Sequence, residues 1–444
     1  MQRLALTLVL MLFISPRLSW GQAQTPIQAD RGPEVFGSAE LPPLVTGEEA
    51  LPSNVILFSV AGETAYDDNV FSNNSDRHGD VTFGLSPRLA LRQKRRRASL
   101  ALDYQPSVLL YRRYSAYDAT NQALQFDLQL ATSPRLSFRL RDSADYMRGI
   151  FQPIAGQPIT SGLTGPSQVN QTVYTPLLRE FANTSRLDAD YRFSRRTDID
   201  FFGGPQEQHF SNNPGFAQNL FNMNGENAGV QFSDRLTKSS TLGLMYMYSN
   251  LEFGSVTHTI VQTGYFSWAQ SLTPGLTLQL FGGPEYTHIN EQATLNLGIV
   301  VLSHVFIHND WHPTYGGTLT AQRHRTAFEF SARHAVMDGG GLLATVENTD
   351  FNAEVRQQVT RRWTVFANSD VARSRALELF LGGSKLNDAS VGAGIERAFS
   401  KGLVGRLAYN FIRQRSNGEG IFLPDVNQNR VSINFYYQFK RSAI

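Results

Sequence analysis

"RVSINFYYQF", residues 430 to 439, sets Val431, Ile433, Phe435, Tyr437 and Phe439 on one face of an extended strand, with Ser432, Asn434, Tyr436 and Gln438 on the other. Side chains of a strand alternate between its two faces, so this spacing asks for one continuous apolar surface along the whole element. A soluble sandwich, a helix-backed sheet and a sheet facing lipid all meet that demand. The remainder of the chain must discriminate among them.

The same alternation recurs from Val55 onward in segments of about ten residues. Examples are "VTFGLSPRLAL" (81 to 91), "SLALDYQPSVLLY" (99 to 111), "ALQFDLQLA" (123 to 131), "LSFRLRDSADY" (136 to 146), "TSRLDADYRF" (184 to 193), "LTLQLFGGPEY" (276 to 286), "WTVFANSDV" (363 to 371) and "LVGRLAYNFI" (403 to 412). Helical spacing is not sustained over comparable lengths. Short connections centre near Lys94, Pro134, Arg195, Lys238, Pro274, His324, Arg361 and Lys401. Between them fall longer ones at 67–78, 113–120, 147–180, 211–222, 253–256, 290–310, 338–345, 375–386 and 417–427. Tight turns taking turns with long loops are the mark of an all-β, antiparallel transmembrane barrel. The tally gives about 18 strands, with 16 or 20 as alternatives.

Composition agrees. Of 444 residues, 41% are hydrophobic and 18% charged, and no run reaches the roughly 18 consecutive apolar residues of a membrane-spanning helix. A barrel hides its hydrophobicity in alternation, so ordinary averages do not exclude it. The face opposite the apolar strip carries Arg139, Arg141, Arg186, Asp188, Asp190, Arg192, Glu329, Arg333, Glu354, Arg356 and Asp370. A sandwich core could not bury so many charges, whereas a water-filled interior tolerates them. These eleven are the candidate pore-lining residues. Their signs are interleaved, which favours pairing among themselves over strong selection for one ion, although an arginine cluster would favour anions.

The first residues read as a secretion signal, with a basic start at Arg3, an apolar stretch from Leu4 to Ile14, and Gly21-Gln22-Ala23 for cleavage. Residues 1–23 are therefore expected to be a signal peptide, 24–53 a flexible periplasmic lead rich in Pro, Gly and acids, and 54–444 the barrel. There is no cysteine, hence neither a lipid anchor at the cleavage site nor a disulfide framework. Without residues 1–23 the chain has 38 basic and 38 acidic residues, and nucleic acid is not expected as a partner. The basic turn "KRRR" (94 to 97) is explained by solvation or by lipid phosphates of the inner leaflet.

Within "GETAYDDNVF" (62 to 71), the element Tyr66, Asp67, Asp68, Asn69 and Val70 resembles one near the start of a β-barrel porin family whose members lie in exopolysaccharide loci of Gram-negative bacteria. The resemblance implies a location in the outer membrane and passage of a hydrophilic solute or polysaccharide. No cofactor is expected. The terminal "YYQF" is similar to the aromatic-ended signal read by the outer-membrane assembly machinery, except that Lys440 to Ile444 follow the last aromatic.

Four other patterns bear on chemistry. Asp67, Asp68, Asn69, Asn73, Asn74 and Asp76 crowd oxygen ligands, but without the EF-hand spacing, and Asx residues also build turns. His304, His308 and His312 would line one face of a helix and bind a metal there; in a loop, the segment would instead narrow the pore. "RSNGEG" (415 to 420) is similar to the Ser-Asn-Gly of outer-membrane phospholipase A, yet Gln414 stands where the general-base histidine belongs, so Ser416 reads as an external loop residue. Tyr104, Tyr246 and Tyr265 suggest a sugar track, with two of them facing lipid in this register. No metal site and no enzymatic activity are expected. The 147–180 and 290–310 loops are the expected constrictions, and a structural or surface-binding barrel with an occluded lumen is the alternative.

Overall fold

The computed structural model describes residues 54–148, 179–211, 220–254, 256–296, 301–378, 383–417, 425–439 and 442–443. The signal-peptide and lead assignments, and nearly all of the 147–180 loop, lie outside the described residues. The strands are β1 Val55–Asp67, β2 Asp80–Lys94, β3 Ala98–Tyr111, β4 Ala119–Ala131, β5 Leu136–Arg148, β6 Arg179–Arg192, β7 Thr197–Phe210, β8 Met223–Arg235 and β9 Ser240–Phe253. They continue as β10 Thr257–Thr273, β11 Leu276–Asn296, β12 Val301–Arg323, β13 Thr326–Gly339, β14 Leu343–Gln358, β15 Trp363–Ala376, β16 Lys385–Ala398, β17 Leu403–Asn417 and β18 Val426–Gln438. Each pairs antiparallel with its neighbour in sequence, and β18 returns to β1 from Ser59↔Gln438 to Asp67↔Arg430. The sheet is a closed barrel of eighteen strands, as the turn pattern required.

Closure follows from the solvent. Hydrocarbon offers no partner to a backbone amide, so a sheet in lipid must pair every edge, and only a closed one does. The terminal strip faces outward: Val431, Ile433, Phe435, Tyr437 and Phe439 are 42–51% exposed, while Ser432 and Asn434 across the strand are 3% and 2% exposed. On β1 the same holds for Ile56, Phe58 and Tyr66 outside against Ser59, Glu63 and Asp67 inside. At the short-turn end, aromatic rings gather on the outer surface. Phe58 meets Phe439 at 5.0 Å, Tyr191 meets Phe193 at 4.9 Å, and the Arg397 guanidinium lies over Trp363 and Phe399 at 5.1 and 5.0 Å. Rings with one wet edge, backed by a cation, belong at the level of lipid headgroups.

Local chemistry sets the short turns. Ser133, Ser194, Thr360 and Ser400 each accept backbone N–H bonds from residues two and three positions on, closing the turns after β4, β6, β14 and β16. A hydroxyl that mimics a backbone acceptor makes the reversal.

The residues after the last aromatic also have a place. Ser442–Ala443 form a two-residue strand, β19, that pairs with Ile56 and Val55 and lengthens the seam.

Two expected loops are corrected. Residues 290–310 are largely strand: β11 and β12 pair without interruption from Leu276↔Ala321 to Asn296↔Val301, forming a ribbon that outreaches its neighbours. β12 pairs with β13 only from Arg323 to Tyr315, so beyond Tyr315 its strand pairing is with β11 alone. "LNLGIVVLSHVFI" (295 to 307) reads equally as strand or loop, and long-range pairing decides. Residues 338–345, expected as an external loop, are instead the buried tip of a hairpin.

Candidate functional site

The segment "HAVMDGGGLLATV" (334 to 346) abandons alternation: apolar residues occupy consecutive positions on either side of three glycines. Such a run needs burial on both faces, which a loop in water cannot supply. Above the His334↔Tyr315 pair, β13 leaves β12, and the β13–β14 hairpin turns into the barrel. Val336 to Val346 are all buried.

The tip packs against the inner wall on both sides of its root, on β8–β9 and on β15–β16. Met337, Leu342, Leu343 and Val346 cluster with Ala376 and Leu386 on one side. Ala344 joins Met223, Leu251 and Phe253 on β8 and β9. Polar bonds fix the register. The Val336 amide donates to Glu285 Oε1 at 2.7 Å, and Thr263 Oγ1 donates to Glu285 Oε2 at 2.9 Å. Thr345 Oγ1 lies 2.7 Å from Thr259 Oγ1. The Phe221 amide donates to the Gly341 carbonyl at 2.8 Å. From the β15–β16 connection, Glu378 accepts the Thr345 amide, and the Leu377 amide donates to the Thr345 carbonyl at 3.0 Å.

Glycine is required at the apex. Gly341 has φ +82°, and a Cβ there would sit 2.3 Å from the Phe210 ring. No L-residue combines that conformation with that contact cheaply.

Where the hairpin departs, Tyr315 stacks on His334 at 4.9 Å. Glu347 gathers His334 Nε2 at 3.2 Å, His312 Nδ1 at 3.6 Å and Arg375 Nη2 at 2.5 Å. Four strands thus meet on one carboxylate at the branch point.

All eleven sequence candidates fall on the strand face opposite the exposed apolar residues. The structure brings several together. Arg141 reaches Asp188 at 2.8 Å, Arg186 reaches Asp188 at 2.7 Å and Asp200 at 3.8 Å, and the Arg186 guanidinium stacks over Phe202 at 3.9 Å. Arg333 meets Asp350 at 3.2 Å. Arg356 lies between Glu354 at 3.9 Å and Glu396 at 2.8 Å, with Arg406 on Glu396 at 3.7 Å. Arg139 pairs across to Asp127 at 2.5 Å and stays half-exposed to the interior. Asp190 touches only Ser137 among these contacts, Asp370 sits across from Asn352, Glu329 faces Glu354, and Arg192 is exposed near the short-turn rim.

Alternation flagged these positions because it is local. It missed Arg88 with Asp103, Glu63 with Arg430, Glu285 and Glu396, which complete or extend the networks. The same parity rule, applied to every strand, would have found them. The hairpin was signalled only by its lost alternation.

The Asx-rich segment clasps the seam: Asp68 accepts from the Asn429 amide at 2.8 Å and from Asn429 Nδ2 at 2.7 Å, Asn74 accepts the Asn427 amide at 2.7 Å, and Asp67 accepts Gln428 Nε2 at 2.6 Å. Its oxygens point at amides of the last strand, and the Tyr66–Val70 element is part of this clasp. His304, His308 and His312 lie on β12, where four residues span about 13 Å and one ion cannot bridge them. Ser416 belongs to β17, paired with Leu386, rather than to a loop. Tyr104 and Tyr246 face outward and Tyr265 is buried inside, so no tyrosine track forms.

No protein-family model matches the chain, and no curated protein matches it in sequence. Among solved structures, similar chains include OccK2 (OpdF) of Pseudomonas aeruginosa, at 9% identity and TM-score 0.44 over 87% of this chain and all of that one. OpdK of the same organism, solved with vanillate, is 10% identical with TM-score 0.42 over 86% of this chain and 99% of that one. OccAB4 of Acinetobacter baumannii is 9% identical with TM-score 0.42 over 87% and 99%. No residue role is carried over from them. The closed sheet, the lipid-compatible exterior and the charged interior together place this chain in an outer membrane.

Proposed function

We propose that the chain is a pore of a Gram-negative outer membrane for small hydrophilic solutes, narrowed by the β13–β14 hairpin. The observation that carries the reading is the pairing of a charged inner wall with an apolar hairpin tip laid against that wall. Water and polar solutes pass along the former, and the latter sets the width. Solutes move down their gradient, and the self-paired charges keep the wall polar without a strong preference for one ion.

Passage of an exopolysaccharide rests on the Tyr66–Val70 resemblance alone, and an inward hairpin favours small solutes over a polymer. The near-complete burial of Val336 to Val346 supports a second reading, a barrel whose lumen is occluded. Planar-bilayer recording separates the two. Heat-modifiable protein should give stable unit conductance steps, and a variant with residues 336–346 replaced by a short turn should give larger ones. Silence from the folded parent, with steps only from the variant, supports occlusion. Silence from both would end the pore assignment.

A further inference from the structure

Outward-facing positions at the external ends of β15, β16 and β17 break the apolar pattern in the same way. On β15 they are Arg373 and Arg375, above Val371; on β16 Lys385, above Asn387 and Val391; on β17 Arg413 and Arg415, above Tyr409. Pairing sets Arg375 beside Lys385, Arg373 beside Asn387, and Asn387 beside Arg415, with Arg413 beside Ala389. Neighbouring strands lie about 4.8 Å apart, so five cations share a patch two strand-spacings wide. Arg373, Arg413 and Arg415 line a groove of about 540 Å³ with Thr349, Phe351 and Val371.

Little on this face neutralises them. Glu347 takes Arg375, and Asp388 points inward with 2% exposure. Arg373, Lys385, Arg413 and Arg415 make no ion pair among the described residues. Like charges held this close repel unless an anion joins them. The rim is not basic all round: near the long-loop ends of β7, β8 and β9 the outward positions carry Glu207, Glu226 and Glu252.

Directly beneath the cations, Phe351, Val371, Val391 and Tyr409 are 45–50% exposed and belong to the apolar band. Cationic forks above a greasy strip fit one kind of molecule, with phosphate at the head and acyl chains below. Guanidinium matches phosphate in two-pronged fashion. We infer that Arg373, Arg413 and Arg415, with Lys385, form a docking site for the phosphate groups of an outer-leaflet glycolipid whose acyl chains lie along Phe351, Val371, Val391 and Tyr409. The inference rests on the outer-membrane reading, since only there does this rim meet an outer leaflet.

The test uses the full chain in detergent at about 0.15 M salt, with heat-modifiable migration as the folding control and native mass spectrometry as the readout. Diphosphorylated lipid A should bind at least about tenfold tighter than the same glycolipid stripped of phosphate. Arg413→Gln with Arg415→Gln should lose about tenfold or more, while Glu226→Gln on the far rim and Arg397→Gln at the short-turn rim should change nothing. Arg413→Lys with Arg415→Lys keeps the charge, should retain most of the binding, and should show steeper loss with salt; it carries the test if the glutamine variant does not fold. Equal binding of the dephosphorylated glycolipid, unchanged affinity in the glutamine variant, or displacement by millimolar inorganic phosphate would overturn the site. Failure of the parent chain to migrate as a heat-modifiable barrel would instead remove the membrane reading beneath it.

Discussion

A residue in this chain is judged first by the face it occupies. Ile433 faces lipid and Arg139 faces the lumen, on strands of the same barrel. Ile433→Arg is expected to destabilise the barrel by about 2–4 kcal/mol, the usual cost of a cation near the bilayer midplane. Arg139→Ala removes a half-exposed pair to Asp127 and is expected to cost under about 1 kcal/mol. Urea unfolding in vesicles measures both, and equal effects would contradict the assigned faces. Glu378 illustrates a different rule. Burial raises its carboxyl to about 7, with the Glu291 charge adding to the rise and the Thr345 amide opposing it. The folded state therefore holds a proton that the unfolded state releases above about 4.5, so the hairpin anchor is firmest in acid and weakens as pH rises toward 7. Conductance noise should increase from pH 5 to 8 in the parent, and Glu378→Gln, which still accepts the Thr345 amide, should flatten that dependence.

At the level of the element, the β13–β14 hairpin is the segment that folds into the barrel. Its tip is held by apolar contact with β8 and β9 and by amide bonds to Glu285 and Glu378, and its turn relies on a left-handed glycine against Phe210. Gly341→Val adds both strain and a clash. The hairpin should then leave the wall, raising single-channel conductance while leaving heat-modifiable migration intact; unchanged conductance would show that the tip does not limit flow. Sequence spacing located both strands of this hairpin correctly and put its tip outside. Turn chemistry and length are local, whereas the direction in which a hairpin tip folds depends on what surface awaits it. The same limit explains the β11–β12 ribbon, whose strands depend on a partner that local spacing does not reveal.

For the whole molecule, closure is the central event. β1 and β18 join through nine register pairs, reinforced inside by Glu63 with Arg430 and at the external end by the Asp68–Asn429 clasp. β19 adds two more at the opposite end. Removing residues 440–444 is expected to leave a closed barrel, with stability lowered by under about 2 kcal/mol, as befits a couple of net backbone hydrogen bonds. Asp68→Ala, which strips two bonds from Asn429, should slow assembly or lower the unfolding midpoint at the seam more than the truncation does. Folding kinetics into vesicles would compare them, and a larger effect of truncation would shift the weight of closure to β19.

The sequence by itself determined the strand number, the faces and the lipid-facing strip that ends at Phe439, because alternation and turn chemistry act between near neighbours and lipid tolerates only one solution for a β-chain. It also marked the charged wall, since parity is readable without coordinates. Only the tertiary structure decided which arginine meets which aspartate, that the Asx-rich motif clasps the seam, and that the hairpin at 336–346 rather than 290–310 lies in the lumen. Those outcomes depend on register across strands far apart in the chain and on an inner surface that exists only once the sheet has closed.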